Sequence, residues 1–173
     1  KLHPTTKSAL VNYVEKFEDE LVDMGGIFDV YVLGGTAAIS EAVVNELIYA
    51  IETEFDALDV RAIRVGGADR YATSVAIAKK LGDLHEGDEV IFASGENFPD
   101  ALSAAPYAAA GEIPILLTRS SGLPDSVTDY LKDMAKDATG EEGLNAVVAG
   151  GAAAVSENVL SQLNKLKFRA GGA

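Results

Sequence analysis

Short apolar or β-branched runs alternate with amphipathic stretches along this chain. The runs fall at 29–33 (DVYVL), 61–65 (RAIRV), 89–93 (EVIFA), 113–117 (IPILL) and 145–149 (NAVVA), each of a length suited to a buried parallel strand. Between them the polar and apolar spacing predicts helices over 7–23, 41–54, 70–82, about 101–110, 124–136 and 157–166. In RYATSVAIAKKLG (70–82) the residues Tyr71, Val75, Ala78 and Leu81 share one helical face, and Gly82 stands where a C-cap belongs. Such strict alternation predicts an α/β fold, a mainly parallel sheet covered by helices through right-handed crossovers.

One strand–turn–helix unit is written twice. VYVLGGTAAISEAVVNEL (30–47) and AVVAGGAAAVSENVLSQL (146–163) agree at nine of eighteen positions without a gap. The Gly pairs permit a tight turn. Ser40 and Ser156 are expected N-caps, with Glu41 and Glu157 at the positive end of the helix dipole. A longer period accompanies the unit: RVGGA (64–68) returns as RAGGA (169–173), and HPTTKSALVNYV (3–14) resembles LPDSVTDYL (123–131). Gly34 and Gly150 are 116 residues apart and Arg64 and Arg169 are 105 apart, which places an insertion in YAIETEFDALD. This phasing predicts the C-terminal half of a preceding repeat at 1–60, one complete repeat at 61–167, and the start of a truncated further repeat at 168–173. The complete repeat is expected to form a parallel four-stranded sheet from 61–65, 89–93, 113–117 and 145–149, with helices on both faces.

RVGGADRYATSVAIAKKL, VIFASGENFPDALSAAPYAA, IPILLT and VVAGGAAAVSENVLSQL, in this order and spacing, resemble the cell wall binding repeat 2 family. The resemblance covers all of 61–167. It implies a Rossmann-like module that occurs in tandem, commonly three together, on S-layer and other surface proteins and beside peptidoglycan hydrolases. It also implies packing against sister repeats and non-covalent attachment to a cell-wall polymer, at the cell surface, without a cofactor.

Composition narrows the remaining choices. With 173 residues and 48% hydrophobic content the chain can bury a core. A net charge of -13 argues against nucleic acid, whose binding needs clustered Lys and Arg. The same charge repels polyanions overall, so an anionic polymer requires a local Arg and helix-N-terminus site or a bridging divalent cation, and otherwise the polymer is neutral. Cysteine is absent, which excludes disulfides and thiolate metal sites. No run of about 18 apolar residues is present to span a membrane. A chain opening on Lys1 is expected to be a processed product or an excised fragment.

If polymer is held at the carboxyl ends of the strands, the residues that converge there are Asp69, Arg70, Ser94, Asp100 and Thr118. Each also has a structural reading. Asp69 suits an N-cap, and Arg70 a pairing with a carboxylate or a strand-end carbonyl. Asp100 suits an N-cap or a fixed ion pair with Arg70. Pro106 predicts that the surrounding helix starts near Ala104 or kinks. Thr118 ends the hydrophobic run IPILL.

Enzyme chemistry finds little support in these residues. His3 and His85 are the only histidines, Ser94-Gly95 has no identifiable base, and G-x-S-x-G is missing. VLGGTAAIS lacks the dinucleotide spacing, and no phosphate loop occurs. The carboxylates Glu18-Asp19-Glu20 and Glu141-Glu142 read as solvated faces, not metal sites. The reading is therefore a non-catalytic anchoring module. Its alternatives are an assembly module packing on sister repeats and a small-molecule or nucleotide-binding α/β domain.

Overall fold

The computed structural model describes residues 1–82, 89–137 and 144–171. His85, Glu141 and Glu142 lie outside them. Strands and helices alternate as expected, in two compact units, Lys1–Val65 and Gly66–Ala173.

The first unit runs α1 (Pro4–Asp23), β1 (Ile27–Leu33), α2 (Glu41–Glu52) and β2 (Asp59–Val65). Pro4 occupies the first helical turn, where its missing N–H costs nothing, and the backbone N–H of Thr5 donates to His3 Nδ1 at 3.3 Å. β1 and β2 pair in parallel from Ile27 opposite Asp59 to Leu33 opposite Val65. Val14, Ile51, Phe55, Leu58 and Val60 form the core, with Phe28 and Val30 packed on it. Because side chains alternate along a strand, Ile27, Tyr31 and Leu33 turn away from that core and stay exposed. Arg64 joins the carboxyl end of β2 to the Gly-Gly turn: Nη1 donates to Gly34 O at 2.9 Å and Nε to Glu41 Oε1 at 3.1 Å.

The second unit runs α3 (Arg70–Gly82), β3 (Glu89–Ser94), α4 (Pro99–Gly111), β4 (Ile115–Thr118), α5 (Asp125–Asp137), β5 (Leu144–Ala149), α6 (Glu157–Lys165) and β6 (Phe168–Gly171). Its strands are all parallel, in the order β4-β3-β5-β6. Val90 and Phe92 of β3 enter a core built with Val75 and Ala78 of α3, Leu131 of α5, Leu163 of α6 and Phe168 of β6. Phe92 and Phe168 meet edge to face, centroids 6.3 Å apart. Ile91 and Ala93 alternate to the other side and are also fully buried, and α4 lies against β3, β4 and β5.

Several expectations are corrected. Residues 61–65 do not join the strands at 89, 115 and 144; they pair with β1, and Phe168–Gly171 takes the fourth place in the larger sheet. The register also changes the repeat alignment. Arg61 stands opposite Asp29, and Arg169 stands opposite Asn145, the residue 116 positions beyond Asp29. Structurally, then, Phe168-Arg169-Ala170 corresponds to Val60-Arg61-Ala62, whereas the RVGGA and RAGGA motif aligned Arg169 with Arg64. Burial of the strand's apolar side chain decides register, because a slip exchanges the two faces.

Helix starts differ as well. α4 begins at Pro99 with Phe98 at the N-cap, so Asp100 lies in the first turn and is not the cap. The helix passes through Pro106 without ending. Ser40 and Ser156 do occupy N-cap positions in extended conformation, yet neither side chain makes a capping hydrogen bond. The Ser156 hydroxyl is buried without a hydrogen-bond partner.

Candidate functional site

The carboxyl ends of β3 and β4 lie side by side, with Ser94 in register with Thr118 and the N–H of Gly95 donating to Thr118 O at 2.8 Å. Onto this end the start of α3 delivers Asp69 and Arg70. Asp69 Oδ1 accepts from the N–H of Ala72 at 2.7 Å, and Thr73 Oγ1 accepts in turn from the N–H of Gly67 at 3.0 Å. Asp69 is thus the N-cap of α3. With the helix start fixed, Arg70 Nη1 donates to the carbonyl of Gly95 at 2.5 Å.

Ser94 is buried, and its Oγ accepts from the N–H groups of Glu96 and Asn97, both at 3.2 Å, folding the loop after β3 into a tight turn. Thr118 is buried too and donates to Arg119 O at 3.0 Å. Among the described residues no ion pair joins Asp100 to Arg70. The Asp100 carboxylate instead covers Gly150 in the turn after β5, where a Cβ would fall 2.5 Å from Oδ2. The structure therefore gathers Arg70, Ser94 and Thr118 around Gly95, caps α3 with Asp69, and seats Asp100 beside the end of β5.

Further residues complete this end of the sheet. The Arg119 guanidinium lies 5.1 Å from the Tyr71 ring centroid, a cation–π contact. Glu96 Oε2 accepts from the N–H of Ser120 at 3.1 Å. Hydrogen bonds from the side chain and backbone of Ser120, helped by the nearby Arg119 charge, hold the Glu96 carboxyl below its ordinary value. Residues 119–122 close an antiparallel bridge. Helix α6 clamps that loop: Asn158 Nδ2 donates to Ser121 O at 2.7 Å, and Gln162 Oε1 accepts from the N–H of Leu123 at 2.8 Å. Sequence reasoning missed Glu96, Arg119, Asn158 and Gln162. The turn composition of Thr118–Leu123 marks a loop, but nothing local connects it to amides nearly 40 residues away.

Comparison with known proteins adds the family. The profile described as cell wall binding domain 2 (CWB2) matches residues 64–160, more than half of the chain. This chain belongs to the CWB2 family. The CWB2 chain is 34% identical over 137 residues to an amidase enhancer of Bacillus subtilis (strain 168), covering 79% of this chain and 16% of that protein. It is also 34% identical over 103 residues to the N-acetylmuramoyl-L-alanine amidase LytC of the same organism, covering 60% of this chain and 19% of the amidase. It thus spans less than a fifth of the length of either relative. Among solved structures, Cwp6 from Clostridium difficile superposes with a TM-score of 0.71 at 24% identity, over 99% of this chain and 23% of that one. The likeness to Cwp6 is one of fold. Membership of CWB2 places the chain among cell-wall and surface proteins, and no described helix is long and apolar enough to cross a membrane.

Proposed function

We propose that this CWB2 chain anchors a longer surface protein non-covalently to a cell-wall polymer and catalyses no reaction itself. The observation that carries the reading is the match to a cell wall binding domain over residues 64–160. One relative is named as an amidase enhancer and another as an N-acetylmuramoyl-L-alanine amidase, which supports attachment to the wall as the shared element.

The polymer site is assigned to the carboxyl end of the unit 2 sheet, built from Asp69, Arg70, Ser94, Asp100 and Thr118 with Arg119 added, and the direct contacts fall to the exposed groups among them, since Ser94 and Thr118 are buried. The support is geometric. Arg70 and Arg119 are held in fixed positions by Gly95 O and the Tyr71 ring, so their remaining N–H donors are oriented in advance. Asp69, Ser94 and Thr118 act by shaping the backbone around those donors. Asp69, Glu96 and Asp100 stand at the same end, so the local charge is mixed and suits hydroxyl-rich polymer as well as an anionic one.

For organisation we read Rossmann-like modules with helices on both faces, in tandem: 1–60 as the C-terminal half of a preceding repeat, 61–167 as a complete sequence repeat whose first strand pairs with β1, and 168–173 as the start of another, whose strand takes the equivalent place beside β5. Exposed Ile27, Tyr31 and Leu33 on β1 support a missing half that would cover that face. Exposed Phe98 at the N-cap of α4, with Leu102 and Tyr107 on the helix, favours a second reading, an assembly module packing against sister repeats. Co-sedimentation of the chain with purified wall polymer separates the two. Saturable binding that Arg70→Gln weakens supports anchoring; self-association without polymer binding supports assembly.

A further inference from the structure

The turn after β3 leaves one large aromatic ring on display. Phe98 is 71% exposed, belongs to neither hydrophobic core, and has no ring partner among the described residues. Its backbone, by contrast, is held from both sides. Ser94 Oγ accepts from the N–H groups of the two preceding residues, Glu96 and Asn97, the Phe98 carbonyl accepts from the N–H of Leu102 at 3.1 Å, and Pro99 fixes the next φ. A Phe on such a backbone has only its side-chain torsions left to freeze, so contact with a ligand costs little entropy.

The groups beside the ring are polar. Glu96 and Asn97 are exposed. After its bond to Ser120 the Glu96 carboxylate keeps acceptor capacity, and the Asn97 amide can both donate and accept. Gly95, whose carbonyl holds Arg70, precedes Phe98 by three residues, a span of at most about 11 Å. One ligand can therefore meet a flat apolar ring, an amide, a carboxylate and a guanidinium at this end of the sheet.

A pyranose ring presents the complement of that set. Its C–H face is flat and slightly positive, which an aromatic face attracts, and the hydroxyls on its edge donate and accept. A polyol-phosphate chain has no such face, and Glu96, on a protein of net charge -13, repels its phosphates. We infer, on the strength of the anchoring reading, that the wall polymer is a polysaccharide and that Phe98 is its stacking platform. One sugar ring lies on Phe98, its edge hydroxyls meet Asn97 and Glu96, and the rings linked to it extend toward Arg70. Leu102 and Tyr107, farther along α4, are not part of this subsite.

Binding isotherms of the full chain are measured on beads that carry purified wall polysaccharide or sugar-free polyglycerol phosphate. Polysaccharide should bind the parent, Phe98→Leu should weaken it roughly tenfold, and Phe98→Trp, which keeps an aromatic face, should bind at least as tightly as the parent. In proton NMR spectra of oligosaccharides released from the same polymer, the C–H protons over the ring should move upfield with the parent and stay in place with Phe98→Leu. A structural role for Phe98 would give no such shift. The inference is overturned if Phe98→Leu binds polysaccharide like the parent, if Phe98→Trp loses as much as Phe98→Leu, or if polyglycerol phosphate binds as tightly as polysaccharide. Should Arg70→Gln weaken binding while Phe98→Leu does not, anchoring stands and the stacking subsite alone falls; if the parent binds neither probe, both fall. If Phe98→Leu reduces self-association and leaves polysaccharide binding intact, Phe98 is an assembly contact and the subsite falls.

Discussion

Arg70 and Gly95, 25 residues apart, are joined by a hydrogen bond from the Arg70 guanidinium to the Gly95 carbonyl. The contact fixes the start of α3 against the turn after β3, and of the two pairings that the sequence left open for Arg70, a carboxylate or a strand-end carbonyl, it is the carbonyl. Arg70→Gln is expected to weaken polymer binding by about 1.5–3 kcal/mol, the range for a charge-assisted contact. In a double-mutant cycle with Asp100→Asn the stability coupling should stay within about 0.5 kcal/mol. A larger coupling in urea unfolding would restore the ion pair. If Arg70→Gln lowers the melting temperature while polymer affinity is unchanged, Arg70 belongs to the scaffold alone.

Gly95 carries a second constraint, because a Cβ there would meet Tyr71 Cε1 at 2.5 Å and Leu117 Cβ at 3.2 Å. Tyr71 is buried and also supports Arg119, so it has little room to retreat. Gly95→Ala is expected to destabilise unit 2 by about 1–3 kcal/mol through overpacking. Urea midpoints measure the loss, and an unchanged midpoint would mean that the Tyr71 ring moves freely.

Gly34 and Gly150 occupy the same position of the repeated unit, with φ of +112° and +109°. Either glycine replaced by alanine should cost about 1–3 kcal/mol in backbone strain. At Gly150 the new Cβ also strikes the Asp100 carboxylate, whereas at Gly34 the nearest atom is Ala38 Cβ at 3.6 Å. Gly150→Ala should therefore cost more than Gly34→Ala. Adding Asp100→Ala should recover the excess and nothing further, as read by the unfolding midpoints of the single and double variants.

Glu96 links stability to pH. Its folded pKa is lowered from the ordinary 4.5, chiefly by hydrogen bonds from Ser120. Stability from this group is then fully present above the unfolded value and is lost as pH falls through the lower folded value. Glu96→Gln should flatten the acid limb of a stability profile taken from about pH 6 to 3. A profile that falls as steeply in the variant would show that Ser120 does not favour the ionised carboxylate.

Much of the architecture was decided by the sequence itself. The 3.6-residue period of Tyr71, Val75 and Ala78 made α3, and the β-branched runs made strands, because each element must bury one apolar side whatever surrounds it. The Gly-Gly, Ser-Glu pattern likewise located both turns before α2 and α6. Asp69 was legible as a cap because its partner is only three residues away.

Tertiary structure decided what depends on partners distant along the chain. Which strand lies beside 61–65 could not be read from that run, since the backbone groups of any parallel strand satisfy it equally; it pairs with β1. The register of β6 followed burial of Phe168 and overrode the more conspicuous Arg-x-Gly-Gly-Ala motif. Arg70 found a carbonyl 25 residues on, and the loop after β4 found amides on α6. Such bonds depend on where two segments meet in space, and local spacing carries no record of that meeting.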